Sequence, residues 1–463
     1  MRLNMLRFPI VGRFLRWRRG RLVLQLGLLG ITAVILYDGF TGPQIAPSNL
    51  ASVITWVQFR GVAVFALLLV GNLFCMACPF ALPRTLAHKL GRRGRRWPRQ
   101  LRNKWTAIGV LFVYFWLYEW LDLWASPLLT VWVIVGYFVA SFVLEAAFAE
   151  SPFCKYVCPL GTFNFVSSTI SPFQISVQNG DTCRNCVGKE CVNGAVQVAG
   201  CGTELFAPQV ESNLDCTLCL DCARACPHDN VALIARSPIA ELTKQAAWPR
   251  RLDINLLVMI YAFMGVSNAF GMVPPVYAVE DWLMGVLNTT NEGVVLFLIF
   301  GVLNLLLPIG LGLGSAWASR RLANSQESLR TVLARYAPSM MPLAFAIWLT
   351  HFGGFHFLGS ALGIIPVTQY FLRDHRMAWV GPPNWTLGPV LPLTWLDPLE
   401  MTIVLIGLVL SLVVLMKRAG GKRPFPDPPI AQLPWLLLLV GLAVAAMIIF
   451  LLPMEMRGSV WAG

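Results

Sequence analysis

The residues best suited to chemistry in this 463-residue chain are its twelve cysteines, all between Cys75 and Cys226. Cys216-Thr-Leu-Cys219-Leu-Asp-Cys222-Ala-Arg-Ala-Cys226-Pro227 reads C-x2-C-x2-C-x3-C-P. Three closely spaced thiolates on one loop can ligate three irons of one cubane, and the fourth, beside a proline that turns the chain away, reaches a different cluster. Upstream, Cys183-x2-Cys186-x4-Cys191-x9-Cys201 supplies four more thiols at looser spacing. Eight thiolates suffice for two [4Fe–4S] clusters. Crossing the fourth ligand predicts one cluster on Cys183, Cys186, Cys191 and Cys226, and another on Cys216, Cys219, Cys222 and Cys201. Disulfides and a zinc site compete for the same thiols. The x2-x2-x3-P spacing favours iron over zinc, and the reducing cytoplasmic placement argued below disfavours disulfides.

The other four cysteines form two similar motifs, Phe74-Cys75-Met-Ala-Cys78-Pro79 and Phe153-Cys154-Lys-Tyr-Val-Cys158-Pro159-Leu160-Gly161, each just after an apolar run. Two Cys-Pro pairs at one membrane edge can jointly hold a third iron–sulfur cluster or a metal. The competing reading is reduced thiols packed at helix ends. Glu145, upstream of Cys154, is placed to tune that site.

Two of only five histidines, His351 and His356, fall in one apolar stretch, Trp348-Leu-Thr-His351-Phe-Gly-Gly-Phe-His356-Phe. They are candidates for binding haem b or a quinone, or for structural hydrogen bonds between helices. On an ordinary α-helix a spacing of five turns the rings roughly 140° apart, which separates them unless Gly353-Gly354 distorts the helix. Glu119, Asp122, Glu280, Asp281, Asp397 and Glu400 read as interfacial groups, any of which could accept a proton if quinol is oxidised near them.

These groups must be positioned by membrane helices. Apolar and aromatic residues make up 56% of the chain and charged residues 13%, about half the ~25% typical of soluble domains. Nine apolar stretches can cross a bilayer: 22–38, 54–74, 106–124, 127–148, 253–274, 291–315, 338–363, 398–416 and 434–453. With the N-terminus inside, 32 of the 36 Lys and Arg face the cytoplasm, and only Arg60, Arg373, Arg376 and Arg457 lie outside. The net charge of +13 then reports orientation rather than nucleic acid. The basic loop 84–104 reads as a contact for anionic lipids or an acidic redox partner, with RNA the weaker reading. Arg13, Arg16, Arg18, Arg19 and Arg21 precede the first apolar run, which lacks a small-x-small cleavage site and so reads as a retained helix.

The expected architecture is an α-helical polytopic membrane protein of about nine spans with a small cytoplasmic α+β insert, a bacterial-type double [4Fe–4S] ferredoxin. Its segments are a basic cytoplasmic N-terminus (1–21), a four-helix membrane domain with the first Cys-Pro motif (22–148), a ferredoxin-like domain with the second (149–252), and a five-helix membrane domain (253–463). The Pro- and Trp-rich stretch 364–397 should cap the outer face, and the C-terminus should lie outside.

Residues 60–235 resemble the membrane-bound polyferredoxins of the NapH, NosR and MauN type, on Cys75/Cys78-Pro79, Cys154/Cys158-Pro159-Leu160-Gly161 and Cys216–Pro227. The resemblance implies electron transfer between the quinone pool, iron–sulfur clusters and a partner redox enzyme in a bacterial-type cytoplasmic membrane. For some relatives it implies assembly or reactivation of a metalloenzyme instead. Cys75-x2-Cys78 is one residue shorter than the family's motif, and the last five helices lie outside the resemblance. A transporter with an iron–sulfur sensor is a third reading, disfavoured because the helices carry no charge relay.

Overall fold

The structure, a computed structural model, describes residues 3–83, 86, 95–148, 151–196, 198–244, 248–420 and 427–456. Of the basic loop expected to meet lipid, residues 84–85 and 87–94 lie outside the described residues, as does Arg457. Lys104, at the end of that loop, departs from the expectation. It is 2% exposed, donates to the Lys155 carbonyl at 2.8 Å, and pairs with Asp215.

The fold is mostly helical. Eight helices among the described residues are long and apolar enough to cross a membrane. They are α1 (Gly20–Thr41), α2 (Leu50–Leu69), α4 (Pro127–Ala147), α5 (Leu252–Phe270), α6 (Glu292–Leu322), α7 (Leu329–Leu358), α8 (Leu393–Ala419) and α9 (Pro429–Phe450). The expected span 106–124 is helical only over α3 (Trp105–Trp120). Its 16 residues rise roughly 24 Å, short of the ~30 Å core of a bilayer. The stretch 364–397 holds helix Ile364–Asp374 and short turns at Ala378–Val380 and Trp385–Leu387.

The chain forms two compact units. One comprises Met1–Val34, Ala66–Val110 and Ile134–Glu241; the other comprises Ile35–Phe65, Leu111–Val133 and Leu242–Gly463.

The first unit contains every cysteine. Its sheet has two antiparallel strands, β1 (Phe173–Val177) and β2 (Val231–Ala235), with Ile175 opposite Leu233 and Val177 opposite Val231. The alternation buries Ile175 and Leu233 against Leu218, Leu220, Cys216 and Cys191. This ribbon explains why distant cysteines meet. Cys183 follows the end of β1 and Cys226 precedes the start of β2. Antiparallel pairing brings those two ends together, and it continues beyond the strands through Gln178 N–H to Asn230 C=O at 2.9 Å.

In the second unit, α7 and α5 are the central helices. Their apolar windows are 100% and 89% buried, against 33% for α6, α8 and α9, so the latter three present apolar surface outward, as lipid-facing helices do. Gly407 allows α8 to close on α7, because a Cβ there would stand 2.3 Å from the Ala346 Cβ. Arg418, 1% exposed, ties the end of α8 to backbone carbonyls, with Nη1 on Leu242 at 2.6 Å, Nη2 on Ala334 at 2.8 Å, and Nε on Arg335. Replacing it by Met leaves these buried acceptors unpaired. Arg418→Met should therefore cost about 3 kcal/mol, read as a lower thermal midpoint of the detergent-solubilised protein, while Gly420→Ala at the same helix end should cost far less.

Candidate functional site: three groups of four cysteines

The cysteines of the insert line two separate clefts. Cys183, Cys186, Cys191 and Cys226 surround one of about 330 Å³, with Glu190, His228 and Asn230 in its wall. Cys201, Cys216, Cys219 and Cys222 surround another of about 350 Å³. Each cleft therefore takes three cysteines from one run and one from the other. Among the described residues, no three His, Cys, Asp or Glu side chains converge tightly enough for a single metal ion. Tetrahedral zinc needs four sulfurs at about 2.3 Å from one point, so thiols spread around a cleft suit a larger polynuclear group better.

The loops that carry the thiols are wound to face them. Asp215, Leu218 and Leu220 all have positive φ (64°, 46° and 62°), a left-handed conformation that non-glycine residues adopt only when the surroundings hold them there. Such winding turns successive N–H groups toward one side and favours an anion. Direct donors also reach sulfur. Asn230 Nδ2 lies 3.1 Å from Cys183 Sγ and its backbone N 3.5 Å from Cys226 Sγ, while Leu205 N lies 3.3 Å from Cys201 Sγ. In the first cleft Cys186 Sγ lies 3.3 Å from Glu190 Oε2. Burial pushes the Cys216 thiol up to about 12 and raises Cys191, Cys219 and Cys222, with neighbouring cysteines adding to the effect.

The remaining four cysteines form a third group. Burial, aided by mutual repulsion, lifts Cys75 and Cys154 well above the usual thiol range, with Cys158 and Cys78 among the groups acting on both. Burial also takes Cys158 to about 12 and Cys78 to about 11. Glu145 adds to the shift at Cys154, as its position in the sequence suggested. Both motifs place cysteine before a helical proline, the position where a missing N–H costs nothing. Cys158 caps helix Pro159–Ser167, its sulfur accepting from Gly161 N at 3.2 Å. Only glycine fits at 161, since a Cβ would lie 2.6 Å from the Cys154 carbonyl oxygen.

The unequal spacing of the motifs has a structural cause. Cys75 sits on the α-helical turn Leu73–Ala77, whereas Phe153–Val157 is a π-turn closed by Cys158 N–H to Phe153 C=O at 2.7 Å. A π-turn absorbs one extra residue. Cys-x3-Cys therefore lies on a wider turn than Cys-x2-Cys.

The histidines also depart from α-helical geometry. Leu349–Leu358 of α7 is π-helical, shown by Gly359 N–H bonding Gly354 C=O at 2.9 Å. With an i→i−5 ladder, residues five apart stack instead of diverging. The rings of His351 and His356 are accordingly 4.8 Å apart and nearly perpendicular, not on opposite sides of the helix. Both are buried, 0% and 1% exposed, and among the described residues both nitrogens of His351 and Nε2 of His356 have no hydrogen-bond partner. Two imidazoles on opposite faces of one metal, bound at about 2.0–2.1 Å, would have centroids roughly 6 Å apart. This pair is too close for opposed axial ligation of a single haem.

Sequence reasoning missed Asn164, whose amide lies 3.2 Å from Cys75 Sγ, and Asn230. Asn164 carries no local signal, and only its place six residues after Cys158 hints at a role. Asn230, four residues after Cys226, was equally unmarked.

No family model matches the chain, and no solved structure matches it. The putative electron transport protein YccM of Escherichia coli (strain K12) is 25% identical over 138 residues, 28% of this chain and 33% of that protein. The methylamine utilization ferredoxin-type protein MauN of Paracoccus denitrificans (strain Pd 1222) is 25% identical over 188 residues, 35% of this chain and 60% of that protein. The chain thus spans less than two thirds of the length of these curated relatives. Over that part it is similar to proteins named for electron transport and as ferredoxin-type, and among the described residues it has eight helices long and apolar enough to cross a membrane.

Proposed function

We propose that the protein relays electrons between the quinone pool and a partner redox protein through [4Fe–4S] clusters at the cytoplasmic face of a bacterial-type inner membrane. The observation that carries this reading is the four-and-four division of the insert cysteines between two clefts, Cys226 joining the first run and Cys201 the second. In this reading Cys183, Cys186, Cys191 and Cys226 hold one cluster, and Cys216, Cys219, Cys222 and Cys201 the other. Cys75, Cys78, Cys154 and Cys158 hold a third. Such clusters supply one-electron transfer at potentials set by nearby hydrogen bonds, charge and burial. The chain's own contribution is to bind them, to donate N–H groups to sulfur through Asn164, Asn230 and Gly161, and to exclude water with the apolar core around Leu218 and Leu220.

The charge asymmetry supports nine spans with the N-terminus and insert inside and the C-terminus outside, α3 crossing as a short span. His351 and His356 bind the quinone headgroup. A neutral imidazole both donates and accepts, as exchange between quinone carbonyls and quinol hydroxyls requires, and the unpartnered nitrogens lie in a helix buried among apolar side chains.

Two experiments test this. Purified protein should carry about twelve irons with matching sulfide, and Cys78→Ser should hold about eight. Cys191→Ser and Cys226→Ser should lose the same paramagnetic signal on dithionite reduction, and Cys201→Ser and Cys219→Ser the other. Fewer than about eight irons in the wild type, or a shared loss in Cys191→Ser and Cys201→Ser, would overturn the assignment. In the second experiment, His351→Phe should leave the thermal midpoint unchanged or raise stability by about 1 kcal/mol, because an unpartnered buried imidazole is a cost. Quinol-driven reduction of the clusters should fall at least tenfold in the same variant. Unchanged reduction would remove the histidines from the quinone site.

A further inference from the structure

Arg21 reads in the sequence as one of five basic residues that set orientation. In the first unit it does something more specific. Its side chain, 20% exposed, pairs with Asp221, one residue before Cys222. Asp221 also accepts from Arg224 Nη1 at 2.8 Å. The Arg224 side chain is 2% exposed and donates to the carbonyls of Cys219 at 2.8 Å and Leu15 at 3.1 Å. It further reaches the sulfur of Met76, inside the Cys75–Cys78 motif, at 3.8 Å.

One turn along α1, on the face that carries Arg21, Gln25 donates to the Cys78 carbonyl at 3.2 Å. The start of α1 therefore touches two cysteine groups at once, the membrane-edge group through Gln25 and the second cleft of the insert through Arg21 and Asp221. Asp221 lies between Cys219 and Cys222 in the chain, so its charge and that of Arg21 stand beside the same cysteine loop with opposite sign. Two arginines share one carboxylate here, so the triad carries one surplus positive charge in a largely buried place. That surplus is costly unless anionic groups face it.

We propose that Arg21, Asp221 and Arg224 form an electrostatic coupler that sets the reduction potentials of the membrane-edge group and the second insert cluster relative to each other, and so governs electron exchange between them. The inference rests on the iron–sulfur reading of these cysteines. The exchange moves one electron from one group to the other, with no bond or proton change at the triad. A cation beside a cluster favours the added electron, and an anion disfavours it. Arg21 and Asp221 are positioning residues in this scheme and do not ligate.

The test is a redox titration, followed by electron paramagnetic resonance, of the purified full-length chain and its Arg21→Gln, Arg21→Lys and Asp221→Asn variants. Arg21→Gln should make the second insert cluster about tenfold harder to reduce, a downward shift of about 59 mV for a one-electron couple. Asp221→Asn should shift it upward by a similar factor. Arg21→Lys should stay within threefold of the wild type. The cluster on Cys183, Cys186, Cys191 and Cys226 should be unmoved in all variants. A purely structural ion pair predicts shifts of the same sign, or none, for Arg21→Gln and Asp221→Asn, and either result overturns the proposal. If Arg21→Gln fails to retain iron, Asp221→Asn decides alone: an upward shift supports the coupler and any other outcome refutes it. A wild-type protein without cluster signals would instead defeat the iron–sulfur reading itself.

Discussion

A buried sulfur anion is stable only where positive charge or hydrogen-bond donors face it, and the cysteine-bearing unit is organised around that requirement. Burial is the largest cause that drives Cys78 to about 11 and Cys158 and Cys216 to about 12, even with nearby donors opposing it. The surrounding structure works in the opposite direction. Amide groups of Asn164 and Asn230 reach sulfur, the backbone at Asp215, Leu218 and Leu220 adopts positive φ, and two arginines stand between cysteine groups. Each lowers the cost of a negative charge that the apolar core around it would otherwise exclude.

The same requirement explains why some of the site was legible in the sequence and some was not. Cys216 to Cys226 stand out in the sequence because their spacing is local, and the return of Cys226 toward Cys183 needs only a short antiparallel ribbon. Membrane helices were legible because apolar length is a property of contiguous residues. Counter-charges are not contiguous with what they serve. Arg21 is 200 residues from Asp221, and within a run of arginines its role in topology hides its contact. Lys104 was misread for a similar reason. A basic loop usually meets solvent or lipid, yet this lysine is held inside by Asp215 and the Lys155 carbonyl.

Polar atoms in the second unit follow a different logic. Arg418 satisfies carbonyls at a helix end, and Trp348 Nε1 donates to the Tyr261 carbonyl at 3.0 Å. Among the described residues Thr350 Oγ1, Glu400 Oε1, both nitrogens of His351 and Nε2 of His356 find no partner. The unpartnered nitrogens sit within rings of Phe352, Phe355 and Phe450. An apolar residue would cost less there, and that cost is what marks the two imidazoles for the proposed quinone site.

Two residue spacings take their meaning from one device. The periodicity argument for the histidines rests on 3.6 residues per turn unless Gly353-Gly354 distorts the helix, and the two Cys-Pro motifs differ by one intervening residue. In each case a π-turn intervenes, over Leu349–Leu358 and over Phe153–Val157. Widening a helix by one residue sacrifices some hydrogen-bond geometry but rotates the side chains beyond it onto a new face. At His356 this brings a second imidazole beside the first. At Cys158 it accommodates one more residue between the cysteines, and the sulfur caps the next helix. A spacing in a membrane helix therefore reports a face only once the local turn is known, and the residues best placed to reveal an altered turn are the chemical ones whose facing matters.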